Sequence, residues 1–196
     1  MGYRVDKFSF TRRTQDLPIN RLFLRDNFGL WYQRGLQGVS KDAETTANYL
    51  KGFIAKGSYD RVSCLGISAG GYAALLFGAM LDADVVHSIS PRSLLHPDAE
   101  AFSDRNRHGV NVSLQELKEL PESTQKFFDL ADFLNTSPTG AQTRVVHFDP
   151  ANELDRFHAL RLAGCPAVTF KKHTGGGHAL GKLVVQLPSV VSDLLG

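Results

Sequence analysis

Short hydrophobic runs recur along the chain and alternate with longer stretches in which apolar residues have helical spacing. Six runs have the composition of β-strands, and most are bounded by Gly, Pro, Asp or Ser, as is typical of strands covered on both faces. They are residues 8–10, 22–24, 61–67, 84–90, 144–148 and 167–170. Strands that alternate with helices favour a parallel sheet with right-handed crossovers.

The stretches between these runs have the patterns of helices. Residues 40–57 have apolar positions at helical spacing, and residues 154–164 repeat that pattern. Residues 68–83 are almost continuously apolar, which predicts a helix buried on more than one side. Residues 179–196 predict a C-terminal helix that is kinked, or begins anew, at Pro188.

One interval, residues 91–142, interrupts this alternation. It contains two short amphipathic helical patterns on either side of Pro121, and it is too long for a structureless loop in a compact domain. We expect a small helical insertion over one edge of the sheet. The 196 residues suit a single domain, 1–196. The predicted fold is therefore α/β, a three-layer αβα sandwich with a mostly parallel sheet of about six strands.

Composition narrows the possible partners. The net charge is +2, and the chain has no Lys/Arg block, which argues against nucleic acid. No stretch approaches the ~18 apolar residues of a membrane span, and the N-terminus has no apolar signal region. Cys64 and Cys165 lie in apolar runs, which is atypical of a disulfide framework. We expect a cytoplasmic protein without a cofactor; the pattern does not predict its oligomeric state.

The chain contains one motif with chemical meaning, the G-x-S-x-G segment centred on Ser68. About one chain in ten of this composition would contain such a match by chance. Here, however, a predicted strand precedes the motif and a predicted helix follows it, as in a nucleophile elbow. Gly66 and Gly70 would let the strand and helix backbones approach closely. The N–H of Ala69, at the helix N-terminus, would stabilise an oxyanion. The alternative is a Gly/Ser-rich turn that binds an anion or packs tightly.

A nucleophilic serine needs a base, and the base needs an acid that orients it. His178 follows the last predicted strand on a glycine-rich loop, and His173 is its competitor. No carboxylate or Cys accompanies the two histidines at metal-ligand spacing, so we predict no metal site. Asp149 ends the penultimate strand and Asp155 begins the next helix. We favour Asp155 as the acid and keep Asp149 as the alternative.

The order Ser68, Asp155, His178, each after a successive strand, together with "GISAGG", resembles the α/β-hydrolase superfamily of esterases, thioesterases and acyltransferases. The resemblance covers the chain from about Leu22 to the C-terminus and implies a reduced α/β-hydrolase fold without a large lid. It implies a serine hydrolase that cleaves a carboxylic ester or thioester through an acyl-enzyme on Ser68, with His178 as base. One alternative is an acyltransferase or esterase acting on glycan O-acyl groups with the same triad. Another is a non-catalytic binding protein that uses residues 91–142.

The resemblance also indicates where a second oxyanion donor would lie. In such enzymes it comes from the loop after the strand that precedes the first crossover helix. Here that loop follows residues 22–24, so a backbone N–H near Asp26 or Asn27 is the candidate. Trp31 and Tyr32 would either wall an acyl or sugar pocket or anchor the loop against the sheet.

Two further candidates follow the strand at 84–90. Pro91 and Arg92 would lie at the same edge of the sheet as Ser68. Arg92 would either contact an anionic or polar group of the substrate or remain solvated. The expected partner is a small-molecule ester or an acylated carbohydrate.

Overall fold

Four parallel strands form the sheet in the residues that the computed structural model describes, which are 8–96, 108–137 and 143–196. The strands are β1 (Ser63–Ile67), β2 (Val85–Ile89), β3 (Thr143–Phe148) and β4 (Val168–Lys172). They lie side by side in chain order. The register pairs Gly66 with Ser88, and Ser88 with Val146. The predicted parallel sheet is confirmed.

Helices occupy the stretches between and after the strands. They are α1 (Ala43–Gly57), α2 (Ala69–Leu81), α3 (His108–Leu117), α4 (Glu122–Gln125), α5 (Leu130–Thr136), α6 (Glu153–Arg161), α7 (Gly181–Val184) and α8 (Pro188–Leu195). A short 3-10 helix, Gly177–Ala179, precedes α7. The described part of the insertion contains the short helices α3, α4 and α5, and Pro188 is the first residue of a separate α8. None of the described helices has the length and apolar character needed to cross a bilayer.

The two faces of the sheet carry separate hydrophobic cores. Side chains alternate along β2: Val86 and Ser88 face α2, whereas His87 and Ile89 face α8. The larger core lies between the sheet and the layer that contains α1, α2 and α5. The smaller core joins Ile89 to residues of α7 and α8. This arrangement has three layers, as the αβα prediction requires.

The prediction of about six strands is too high. Residues 8–10 and 22–24 are not strands in the structure. Their aromatic side chains pack on one another instead, because the rings of Phe8 and Phe23 lie 5.6 Å apart and the guanidinium of Arg25 lies 4.1 Å from the Phe8 ring centre. A three-residue apolar run can bury its side chains in this way without joining a sheet.

Candidate active site

Ser68 occupies the sharp turn between β1 and α2. Its backbone has φ 56° and ψ −117°, a conformation that costs a non-glycine residue about 1–3 kcal/mol. Two hydrogen bonds fix this turn: the N–H of Ser68 donates to the Ile89 carbonyl at 2.9 Å, and the N–H of Tyr72 donates to the Ser68 carbonyl at 3.0 Å. The hydroxyl is thereby held at the N-terminus of α2, where the helix dipole favours negative charge.

Two glycines allow β1, α2 and β2 to approach closely at this turn. A Cβ on Gly66 would lie 1.9 Å from the Gly70 carbonyl oxygen, and a Cβ on Gly71 would lie 2.8 Å from the Ile89 carbonyl oxygen. A Cβ on Gly70 would meet no described atom within 4 Å. The prediction that Gly70 is needed for close approach is therefore wrong, because that position faces open space. Gly71 has the role that Gly70 was expected to have.

The structure brings Ser68, His178 and Asp155 into one hydrogen-bonded row. Nε2 of His178 lies 3.0 Å from Oγ of Ser68, and Nδ1 of the same ring lies 2.7 Å from Oδ1 of Asp155. The Asp155 side chain is 2% exposed and the His178 side chain 27%. The buried carboxylate favours the tautomer with hydrogen on Nδ1, which leaves Nε2 free to accept the serine proton.

Asp155 is fixed by the first turn of α6. Its backbone N–H donates to the side chain of the N-cap residue, Asn152, at 3.1 Å. The helix begins immediately after the turn that follows β3, so its first turn carries the carboxylate to the same edge of the sheet as Ser68.

Asp149, the alternative acid, binds the loop that carries His178. Its carboxylate accepts hydrogen bonds from the backbone N–H groups of Gly176 at 3.1 Å, Gly177 at 2.9 Å and Ala151 at 3.0 Å. The bonds from Ala151 and then Gly177 and Gly176 hold the pKa of Asp149 below its usual range. Asp149 therefore anchors the loop, whereas Asp155 contacts the imidazole of His178.

No protein-family model and no curated protein sequence matches the sequence of this chain. Its fold, however, is found in enzymes of solved structure. The capsule O-acetyltransferase of Neisseria meningitidis serogroup A, in complex with CoA, aligns with a TM-score of 0.59 at 15% identity, over 92% of this chain and 81% of that one. An acylaminoacyl peptidase from Pyrococcus horikoshii aligns with a TM-score of 0.53 at 16% identity. An esterase from Pyrobaculum calidifontis aligns with a TM-score of 0.50 at 15% identity. The chain has an α/β-hydrolase fold.

Two of these α/β-hydrolase-fold proteins are much longer than this chain. The matches cover 79% of this chain in both cases, but only 26% of the peptidase and 57% of the esterase. At such low identities the likeness concerns the fold. It confirms the predicted fold class.

The loop after residues 22–24 is organised by Asp26. The Asp26 carboxylate accepts hydrogen bonds from the backbone N–H groups of Phe28 and Gly29, both at 3.1 Å, and of Tyr32 at 3.0 Å. Burial raises the pKa of Asp26, and these hydrogen bonds oppose the shift. The Asn27 amide donates to the Gln37 side chain at 3.1 Å. These contacts define how the loop is held beside the active-site edge.

Trp31 and Tyr32 are largely buried, at 4% and 7% exposure. Their φ values of 50° and 65° lie in the left-handed region, and the Tyr32 hydroxyl donates to the Leu24 carbonyl at 3.4 Å. The rings of Tyr32 and Phe77 form a T-shaped pair with centres 5.7 Å apart. Both residues thus anchor the loop, and they also line a groove beside Ser68.

This groove, which we call the edge groove, has a volume of about 1420 Å³ and follows the side of β1 that is not paired with β2. The predicted site residues that line it are Ser68, Ala69, Asp26, Asn27, Trp31 and Tyr32. In this α/β-hydrolase fold the elbow and the loop after residues 22–24 therefore share one cavity.

Pro91 and Arg92 are buried and do not line the edge groove. Arg92 is 4% exposed, and its guanidinium lies 5.8 Å from the Trp31 ring centre. The alternative that the Arg92 side chain remains solvated is therefore wrong, because this side chain packs within the protein. A contact between Arg92 and substrate remains a prediction.

A row of histidines crosses the sheet on the α8 face. Nδ1 of His147 lies 3.0 Å from Nε2 of His173, and Nε2 of His147 lies 3.1 Å from Nδ1 of His87. His87 ends the row 3.2 Å from the Asp193 carboxylate of α8. Burial lowers the pKa of all three histidines, that of His147 to about 3. His173, the competitor for the role of base, thus belongs to this row.

No motif in the sequence predicts this row. His87 and His147 lie within the runs predicted as strands, and only the register, which pairs His147 with Ile89 and with Lys171, brings the rings together. The only signal in the sequence is that each of these two histidines lies within a predicted strand. Among the described residues no group of three or more His, Cys, Asp or Glu has an arrangement that would hold a metal ion.

Proposed function

We propose that this protein is a serine hydrolase that cleaves a carboxylic ester or thioester through an acyl-enzyme on Ser68. The observation that carries the proposal is the row in which Ser68, His178 and Asp155 are joined at 3.0 Å and 2.7 Å. A serine hydroxyl is a weak nucleophile unless an adjacent base removes its proton. His178 meets that need at Nε2, and Asp155 orients the ring at Nδ1.

The reaction then takes place in two steps. In the first, Oγ of Ser68 attacks the carbonyl carbon while Nε2 of His178 takes the hydroxyl proton. The ester C–O bond, or the thioester C–S bond, breaks, and His178 returns the proton to the leaving alcohol or thiol. In the second step water attacks the acyl-enzyme with His178 again as base, which releases a carboxylic acid and restores Ser68. Asp155 stabilises the imidazolium through its hydrogen bond at Nδ1.

The negative charge of each tetrahedral intermediate requires hydrogen-bond donors. The N–H of Ala69, at the N-terminus of α2, is the first donor in this proposal. The second is a backbone N–H of Asp26 or Asn27, in the loop that lines the same groove. Loss of one such donor costs a serine hydrolase about 100- to 1,000-fold in kcat.

A second candidate is acyl transfer to a hydroxyl group of a carbohydrate. The same acyl-enzyme would form, and an alcohol in place of water would attack it. The likeness to the capsule O-acetyltransferase over 92% of this chain favours this candidate. Hydrolysis and transfer then differ in how well the site excludes water when an acceptor is bound.

A fluorophosphonate probe tests the shared acyl-enzyme chemistry. We expect covalent labelling at Ser68 and its loss in Ser68→Ala. Ser189→Ala is the matched control, because Ser189 is an exposed serine on α8 and should leave labelling unchanged. A folded wild-type protein that the probe does not label would refute both candidates.

Product analysis separates the two candidates. The protein is incubated with p-nitrophenyl acetate, with and without an added oligosaccharide. Free acid at the same rate in both samples supports hydrolysis. Acylated sugar, formed with Ser68 intact and absent in Ser68→Ala, supports transfer.

A further inference from the structure

The edge groove follows β1 along its whole length. Ser68, Ala69 and Gly70 line one end, and Arg61 and Val62 line the other. At ~3.3 Å per residue, this stretch of chain spans about 20 Å. Among the described residues β1 pairs with β2 alone, so its second side is free of sheet neighbours. The groove is thus a long channel that begins at the proposed nucleophile.

The lining of the edge groove mixes polar and apolar side chains, and it gathers most of the exposed large apolar side chains of the described residues. The described residues include ten exposed large apolar side chains, and six of these line the groove. The six are Phe8, Leu22, Phe28, Phe53, Tyr59 and Leu195. Ala73, Ala74 and Phe77 of α2 add to the apolar surface. Exposed apolar side chains that gather in one place mark a site where an apolar group binds.

The outer wall of the groove is made by packed side chains. Phe8 packs on Phe23, and Arg25 covers Phe8. On another side the rings of Phe53 and Tyr59 stack with centres 6.4 Å apart. These contacts hold the walls in place while the space between them stays open. The volume of about 1420 Å³ exceeds the roughly 300–1,000 Å³ of common small-ligand pockets.

We propose that the edge groove binds the acyl chain of the substrate, and that Ser68 acts on esters or thioesters of long-chain acids. This inference rests on the proposed function. The carbonyl carbon lies at Ser68, the acyl chain follows β1 toward Val62, and the alcohol or thiol leaves on the side away from the groove. An acyl chain requires no hydrogen-bond partner, which suits walls of Phe, Leu and Tyr side chains. An extended peptide would instead pair with the free side of β1.

Chain-length selectivity tests this inference. Each methylene buried in an apolar groove is worth about fourfold in binding. We therefore expect kcat/KM for p-nitrophenyl laurate to exceed that for p-nitrophenyl butyrate by about 100-fold or more, since only part of the added chain needs to be buried. Equal values for the two esters, or a preference for butyrate, would overturn the inference.

A pair of variants on α1 locates the effect. Phe53 is 41% exposed and lines the groove, whereas Tyr49 is 48% exposed on the same helix and does not line it. We expect Phe53→Glu to reduce the laurate-to-butyrate ratio at least tenfold, because a bound acyl chain would take the new carboxylate out of water. Tyr49→Glu should change the ratio less than about twofold, as surface substitutions usually do. Equal effects of the two variants would refute the groove as the acyl site.

Labelling of Ser68 distinguishes a failure of the proposed function from a failure of the acyl-groove inference. Failure of a fluorophosphonate to label wild-type Ser68 contradicts the proposed function itself. Labelling of Ser68 with a flat chain-length profile contradicts the acyl groove alone. Light scattering tests whether a second copy of the chain occupies the groove instead. If the protein is a dimer that Phe53→Glu converts to a monomer, and the chain-length dependence of kcat/KM is unchanged, the groove is a dimer interface and the acyl site is refuted.

Discussion

His178 Nε2 lies 3.0 Å from Ser68 Oγ, although 110 residues separate the two in the chain. The parallel sheet makes this contact possible, because the carboxyl ends of β1, β3 and β4 meet at one edge. Ser68 follows β1, the α6 turn with Asp155 follows β3, and the loop with His178 follows β4. Ligand sites of open α/β sheets lie at this edge.

The contact between Asp155 and His178 predicts the effect of Asp155→Asn. The amide would donate to Nδ1 rather than accept from it, which favours the tautomer whose Nε2 carries hydrogen and cannot take the serine proton. We expect kcat for p-nitrophenyl butyrate to fall about 1,000- to 10,000-fold. Steady-state kinetics and a check of folding by circular dichroism measure this. The control is Glu153→Gln, because Glu153 is an exposed acidic residue two positions before Asp155, and its kcat should be near that of wild type.

The three hydrogen bonds of Asp149 predict a different response. Asp149→Asn keeps one acceptor oxygen, whereas Asp149→Ala removes every acceptor for Gly176, Gly177 and Ala151. Displacement of a catalytic group by about 1 Å lowers the reaction rate about 100-fold. We therefore expect kcat to fall about tenfold in Asp149→Asn and about 100-fold in Asp149→Ala. KM should change little in both variants. A loss in Asp149→Asn as large as in Asp155→Asn would show that Asp149 is the acid.

The sequence predicts β1 to β4 to within two residues at each end, because each is a short run rich in Val, Leu, Ile or Phe between helical patterns. The prediction of strands at residues 8–10 and 22–24 was wrong. A run of three residues does not reveal whether its aromatic rings pack on a sheet or on each other. The position of Ser68 at a strand-to-helix turn could be predicted because strand, turn and helix follow one another locally. Which of Asp149 and Asp155 contacts His178 depends on how the β4 loop folds back, and that is a tertiary property.

The close approach at the elbow predicts effects of different size for substitutions at Gly66 and Gly70. Gly66→Ala places a Cβ 1.9 Å from the Gly70 carbonyl oxygen, and neither backbone can move without shifting Ser68. We expect a loss of about 2–5 kcal/mol in the free energy of unfolding, measured by urea denaturation. Gly70→Ala, where a Cβ meets no described atom within 4 Å, should be within about 1 kcal/mol of wild type. Equal destabilisation by both substitutions would contradict the close packing at Gly66.

Two buried histidines connect stability to pH. His147 is 1% exposed within β3, and His158 of α6 is 1% exposed with its Nδ1 accepting a hydrogen bond from the Ser93 N–H at 3.1 Å. Burial is the main cause that lowers the pKa of each to about 3. Nearby charged and titratable groups act in the same direction; they are His87, His173 and Lys171 for His147, and Arg92, Arg161 and His178 for His158.

These histidines predict a loss of stability in mild acid. Below the unfolded pKa of about 6.5 the unfolded chain binds two protons that the folded chain excludes, so stability falls as pH falls toward the folded pKa. Each histidine contributes up to about 1.4 kcal/mol per pH unit across this window. Urea unfolding between pH 7.5 and pH 5 should therefore show a declining free energy of unfolding, with a shallower slope in His158→Gln. His96→Gln, at an exposed histidine, should retain the wild-type slope. A free energy of unfolding independent of pH over this range would contradict the burial of neutral His147 and His158.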